Sequence, residues 1–131
     1  MKSVSSVVVG SLVIALAGCN PFAPDQSVVL GVSQLDAPTA ISSSDNLPVA
    51  LTVTVGGCLS FDRIEVTRDL SGASFTAWGR DASKGRKDVM CPADVRAELH
   101  SYTLVPPFAN PFSIQVQRGR LSPLTTTVQV K

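Results

Sequence analysis

The sequence predicts an all-β domain of about seven antiparallel strands packed as a two-sheet sandwich. Three observations carry this reading. Apolar residues recur at every second position in segment after segment. Turn-forming residues separate those segments at intervals of roughly 8–12 residues. From Ser27 onward, no stretch has the three- and four-residue apolar spacing of an amphipathic helix of useful length.

The elements follow in order from Ser27. Val28, Leu30 and Val32 alternate with Val29, Gly31 and Ser33, the two-residue period of a strand with one buried face. Residues 37–46 are rich in Ser, Asp and Pro and read as a loop. Val49, Leu51, Val53 and Val55 alternate with Ala50, Thr52 and Thr54, until Gly56-Gly57 breaks the pattern before Cys58. Leu59 and Phe61 have the opposite parity to Ile64 and Val66, so a bulge near Asp62 is expected to put all four on one face. After a turn containing Gly72, residues 74–79 read as a strand, with Phe75 and Ala77 on one face and Thr76 and Trp78 on the other.

Residues 80–88 form a polar loop, and Met90-Cys91-Pro92 returns the chain to the core. Val95, Ala97 and Leu99 then alternate with Arg96, Glu98 and His100. Residues 93–99 fit either a short helix capped by Asp94 or a strand. The β-branched and aromatic residues continuing through Tyr102-Thr103-Leu104-Val105 favour the strand. Pro106-Pro107 ends it. Phe112, Ile114 and Val116 mark the next strand, Gly119 the next turn, and Leu124, Thr126, Val128 and Val130 the last strand. The domain therefore spans 27–131.

Composition removes several function classes. The 131 residues carry 11 Lys+Arg against 10 Asp+Glu, with 44% hydrophobic and 16% charged residues. That is neither a disordered acidic tail nor a basic nucleic-acid binder, and no nucleic-acid partner is expected. A single His excludes a blue-copper set and leaves zinc short of ligands, so no metal or other cofactor is expected. The sequence has no Gly-x-Ser-x-Gly elbow and no Ser-x-x-Lys, and Lys84-Gly85-Arg86 lacks the spacing of a phosphate loop. Glu65 and Glu98 are isolated carboxylates on strand-like segments. The expectation is a protein that is not an enzyme.

The first residues point to a compartment. Lys2 precedes an apolar run from Val7 to Leu16, too short to span a bilayer. It ends in Leu16-Ala17-Gly18-Cys19, which resembles the lipobox of bacterial lipoproteins: an aliphatic residue, two small residues and an obligatory Cys. The resemblance implies that residues 1–18 are a signal peptide. It also implies that the Cys19 thiol takes a diacylglyceryl group, and that residues 19–26 are a lipidated tether stiffened by Pro21 and Pro24. The partner is then a membrane, and the location the bacterial cell envelope outside the cytoplasm. Asn20 resembles the outer-membrane default of such proteins where an outer membrane exists. With Lys2 removed, acidic and basic residues balance, and the domain has no long-range pull toward polyanions.

If Cys19 carries lipid, Cys58 and Cys91 remain, and an even remainder in an oxidising compartment predicts one disulfide. Closing a loop of that length removes about 4 kcal/mol of unfolded-state entropy.

The block from Gly57 to Val130 resembles small bacterial lipoprotein domains with an Ig-like or fibronectin-III-like sandwich. The residues that carry the likeness are Cys58, Phe61, Ile64, Val66, Trp78, Cys91 and Val128. The spacing of Cys58 and Cys91 departs from the inter-sheet disulfide of antibody domains, which spans most of that domain. The resemblance implies a structural or protein-binding module of the envelope. The alternative is a module for an envelope polymer or ligand. It would use Trp78 and the basic loop of Arg80, Lys84, Arg86 and Lys87, which Asp81 and Asp88 only partly offset.

Overall fold

A computed structural model describes residues 26–131. The expected signal peptide (1–18) and residues 19–25 of the expected tether lie outside the described residues. Nine strands are described: β1 (Ser27–Val29), β2 (Val32–Asp36), β3 (Ala40–Ile41), β4 (Leu47–Val55), β5 (Leu59–Arg68), β6 (Gly72–Asp81), β7 (Arg96–Leu104), β8 (Phe112–Arg118) and β9 (Leu121–Val130). The described residues contain no helix.

Two sheets form. The larger has β6 at its centre, with β5 along one edge of it and β8, then β9, then β3 on the other side. β1 pairs with Trp78–Arg80 of β6, just past the stretch Gly72–Thr76 that pairs with β8. The smaller sheet runs β2–β4–β7. Two pairings are parallel, β6 with β8 and β3 with β9, where an entirely antiparallel sandwich was expected. The surplus over about seven strands has a local cause. The first expected strand is divided, because the chain crosses from one sheet to the other at Leu30-Gly31. Leu30 N–H still donates to Ala77 in the larger sheet, at 2.8 Å, while Gly31 C=O already accepts from Thr54 in the smaller, at 2.9 Å. β3 is a two-residue strand inside the expected loop 37–46.

The alternating patterns meet between the sheets. Val32, Leu47, Val49, Leu51, Val53, Val55 and Leu104 of the smaller sheet face Phe75, Ala77, Phe112, Ile114, Val116, Val128 and Val130 of the larger. No polar or charged residue is buried among the described residues. Each fully buried Val, Leu, Ile or Phe stabilises the fold by roughly 1.5–3 kcal/mol relative to an exposed one. Within the larger sheet, the chain flanking Gly79 on either side leaves no room for a side chain: a Cβ there would lie 2.5 Å from both Leu30 Cδ2, just past β1, and the Ser60 carbonyl oxygen of β5.

Two local expectations have clear outcomes. The β5 bulge is present: pairing with β6 shifts between Phe61 and Arg63, and Leu59, Phe61, Ile64 and Val66 all pack against the core. In β7 the apolar set Val95, Ala97 and Leu99 points outward. Glu98, His100, Tyr102 and Leu104 pair with the buried Val53, Leu51, Val49 and Leu47 and share their face. Residues paired directly across a ladder lie on the same side of the sheet. The parity of the strand's second half prevails, because Leu104 is buried and Tyr102 meets Phe75 edge to face at 5.6 Å. Leu99 is left 67% exposed.

Candidate functional site

β4, β6 and β8 end, and β1, β5, β7 and β9 begin, at one end of the sandwich, here termed the base. Strand direction fixes this: Leu59 pairs with Asp81, Val55 with Arg96, Ser27 with Arg80, and β8 runs parallel to β6. The base therefore carries the β4–β5 turn, the connection 82–95 and the β8–β9 turn. The basic loop of the sequence belongs to the connection, and Arg118 and Arg120 lie at the β8–β9 turn.

The connection is tied down at both ends. Asp81 caps its start, accepting from the Ser83 hydroxyl and, at 2.9 Å, from the Ser83 N–H. Those two bonds, with the nearby Lys84 charge, hold the Asp81 carboxyl below its ordinary pKa of 3.8. Ala82 N–H donates to the Cys58 carbonyl at 3.0 Å. At the far end Cys91 is disulfide-bonded to Cys58, with their Cα atoms 5.0 Å apart. Asp94 accepts from Gly57 N–H at 3.1 Å and holds Arg96 at 2.6 Å. Gly56 has φ +123°, and a Cβ there would overlap the Asp94 carbonyl oxygen. Only glycine tolerates that backbone and that contact.

The four cations of the loop are not equivalent. Arg80 lies 3.8 Å from Asp62, and Lys84 Nζ donates to the Ser27 carbonyl at 3.2 Å. Arg86 and Lys87 are exposed and form no ion pair among the described residues. Beside them Met90 is 94% exposed.

Trp78 is half-buried on the outer face of the larger sheet. The Arg63 guanidinium covers it at 5.5 Å and is itself held at 2.8 Å by Asp62, the carboxylate that also neighbours Arg80. Trp78 and Arg80 thus share one Asp62-centred cluster, while Arg86 and Lys87 stand apart from it in the loop. His100 stacks on Phe61 with ring centroids 3.6 Å apart, and its Nε2 lies 3.1 Å from Glu98 Oε2. No group of three or more potential metal ligands occurs among the described residues. Cys19 lies outside the described residues.

Sequence reasoning missed two features of this end. One is Met90, which with Cys91 and Pro92 was expected to return the chain to the core, whereas all three are exposed. The other is the return of the N-terminal strand to Arg80, a pairing across more than fifty residues for which local pattern holds no signal. Comparison with protein-family models, with curated proteins and with solved structures found no match.

Proposed function

We propose that this chain is an exported, lipid-anchored protein of the bacterial cell envelope. On this reading its Ig-like β-sandwich acts as a non-enzymatic structural or protein-binding module. The observation that carries the proposal is how the cysteines are distributed. Cys58 and Cys91 are bonded to each other. That leaves one thiol, and it stands at the end of Leu16-Ala17-Gly18-Cys19. A disulfide that staples a small domain suits an oxidising compartment. Two or more acyl chains on Cys19 would hold the protein on a bilayer stably, where a single chain gives only reversible binding.

A binding role is supported by the free edge of β7. Val95, Leu99 and Val105 are exposed along or beside it, and a sheet edge with apolar side chains accepts a partner's strand by backbone pairing. The use of the one imidazole supports binding over catalysis, since His100 is engaged by Phe61 and Glu98 within a strand.

Metabolic labelling of producing bacteria with an alkyne palmitate analogue tests the anchor. Label is expected on the wild-type protein and absent from Cys19→Ala; an unlabelled wild type overturns the proposal. A photo-crosslinking residue in place of Leu99 tests the binding edge. A discrete crosslinked partner is expected, and its absence when Leu99 is replaced but not when an outer-face residue of β8 is replaced would overturn the β7 assignment.

A further inference from the structure

We infer that the base of the sandwich is a docking surface for anionic phospholipid headgroups, so that the anchored domain stands on the bilayer with its basic loop down. This rests on the lipid-anchor reading and specifies the membrane contact of the domain itself.

The first observation is where the chain enters. Ser27 pairs with Arg80, Gln26 C=O accepts from Asp81 N–H at 2.9 Å, and Lys84 Nζ donates to the Ser27 carbonyl. The N-terminal segment therefore leaves the domain beside the basic loop. The seven residues from Cys19 to Asp25 span at most about 25 Å even when fully extended. A lipid on Cys19 therefore keeps this end within about 25 Å of the membrane.

Charge agrees with entry point. Arg86, Lys87 and Arg120 lie at the base, exposed and without ion pairs among the described residues. The basic residues near them are already engaged: Arg80 with Asp62, Arg96 with Asp94, and Arg118 with the Ser122 carbonyl. The opposite end carries Asp36, Asp45 and Asp69 against Arg68 and Lys131, whereas the base carries Arg80, Lys84, Arg86, Lys87, Arg96, Arg118 and Arg120 against Asp62, Asp81, Asp88 and Asp94, so positive charge is concentrated where the tether exits. An anionic surface attracts each nearby Lys or Arg, and the attraction fades within a Debye length. Met90 adds an apolar side chain of the kind that enters the headgroup boundary beside cations. The Cys58–Cys91 bond and the Asp81 cap hold the loop at both ends, so little ordering is needed on docking.

Arg86, Lys87 and Arg120, offset by the exposed Asp88 beside Lys87, which forms no ion pair among the described residues, favour the docked over the undocked state roughly 30-fold on an anionic surface. The test uses the full chain as bacteria produce it, reconstituted in vesicles of phosphatidylcholine alone or of phosphatidylcholine and phosphatidylglycerol in equal parts. Amide hydrogen exchange is followed across residues 82–92. The expected result is exchange slowed at least roughly tenfold in the phosphatidylglycerol vesicles only. The slowing is lost in high salt and in the triple variant Arg86→Gln, Lys87→Gln, Arg120→Gln. Equal exchange in both vesicle types, with acyl mass present on the N-terminal peptide, overturns the headgroup contact and leaves the anchor reading intact. Absence of that acyl mass overturns the anchor reading itself. The same slowing produced by soluble polyglutamate without vesicles overturns the assignment to lipid.

Discussion

Phe61 and His100 stack with ring centroids 3.6 Å apart and an interplanar angle of 18°, joining the β5 edge of the larger sheet to the β7 edge of the smaller. Neither ring belongs to the buried core. On this side the chain also passes from β4 to β5 through the short turn at Gly56-Gly57-Cys58, so the ring contact adds to a covalent link between the sheets. Aromatic pairs contribute about 0.5–1.5 kcal/mol beyond the area they bury. A double-mutant cycle on Phe61→Leu and His100→Gln, read by urea denaturation, is expected to give a coupling of about 1 kcal/mol. A coupling indistinguishable from zero would show that the rings pack independently.

The disulfide fastens the β4–β5 turn to the connection 82–95, across a sequence separation of 33. Because the crosslink acts mainly on the unfolded chain, removing it is expected to lower stability by about 4 kcal/mol. The measurement is chemical denaturation of the Cys58→Ala, Cys91→Ala variant beside the wild type. A loss below about 1 kcal/mol would mean that hydrogen bonds such as Gly57 N–H to Asp94 already order this end in the unfolded ensemble.

Much of the fold could be read from parity alone. β4, β6 and β8 lie between neighbours and are buried on one face along their length, so their alternation maps directly onto the core. The β5 bulge was legible because two apolar pairs of opposite parity had to share one face. β7 was not legible, because its two halves present apolar residues of opposite parity. The burial of Leu104 and the contact of Tyr102 with Phe75, from a distant strand, decide between them. Of the candidate site, the Cys58–Cys91 pairing and the charge of the loop were visible. The Asp62 cluster over Trp78 and the approach of Ser27 to Lys84 depend on pairings far apart in sequence.

That parity has a direct consequence for β7. Leu99→Thr replaces an exposed side chain with a good strand former, and stability is expected to change by less than about 0.5 kcal/mol. Leu104→Ala removes a buried side chain and is expected to cost about 2–5 kcal/mol. Thermal and urea unfolding of the two variants check the pair. The opposite order of effects would mean that β7 sits in the other register.

Gly79 offers a test of how tightly the chain after β1 and strand β5 close around β6. A methyl group there meets Leu30 and the Ser60 carbonyl oxygen at 2.5 Å, and the carbonyl belongs to backbone that cannot rotate away. Gly79→Ala is expected to destabilise by about 1–3 kcal/mol through overpacking, although alanine suits a strand better than glycine. An unchanged denaturation midpoint would show that β1 and β5 can move apart at this level.

The acid side of the stability profile follows from Asp69 and Asp81. The Ser71 hydroxyl is the largest cause of the lowered Asp69 pKa, and the Ser83 hydroxyl plays that part for Asp81. A carboxyl whose folded pKa lies below its unfolded value binds protons less readily when folded. Its contribution is therefore present above the ordinary value of 3.8 and is lost as pH falls through the depressed folded value. Asp69 is exposed and Asp81 only half-buried, so solvent screens the effect and the direction is what can be tested. Ser83→Ala should move the Asp81 carboxyl titration upward toward 3.8, as followed by carboxyl carbon NMR. The stability difference from wild type should be present at neutral pH and close as the solution is acidified below that value. A titration unmoved by the substitution would mean that the Ser83 backbone N–H and Lys84 alone set the carboxyl's proton affinity, and that the hydroxyl bond at the start of the basic loop is dispensable.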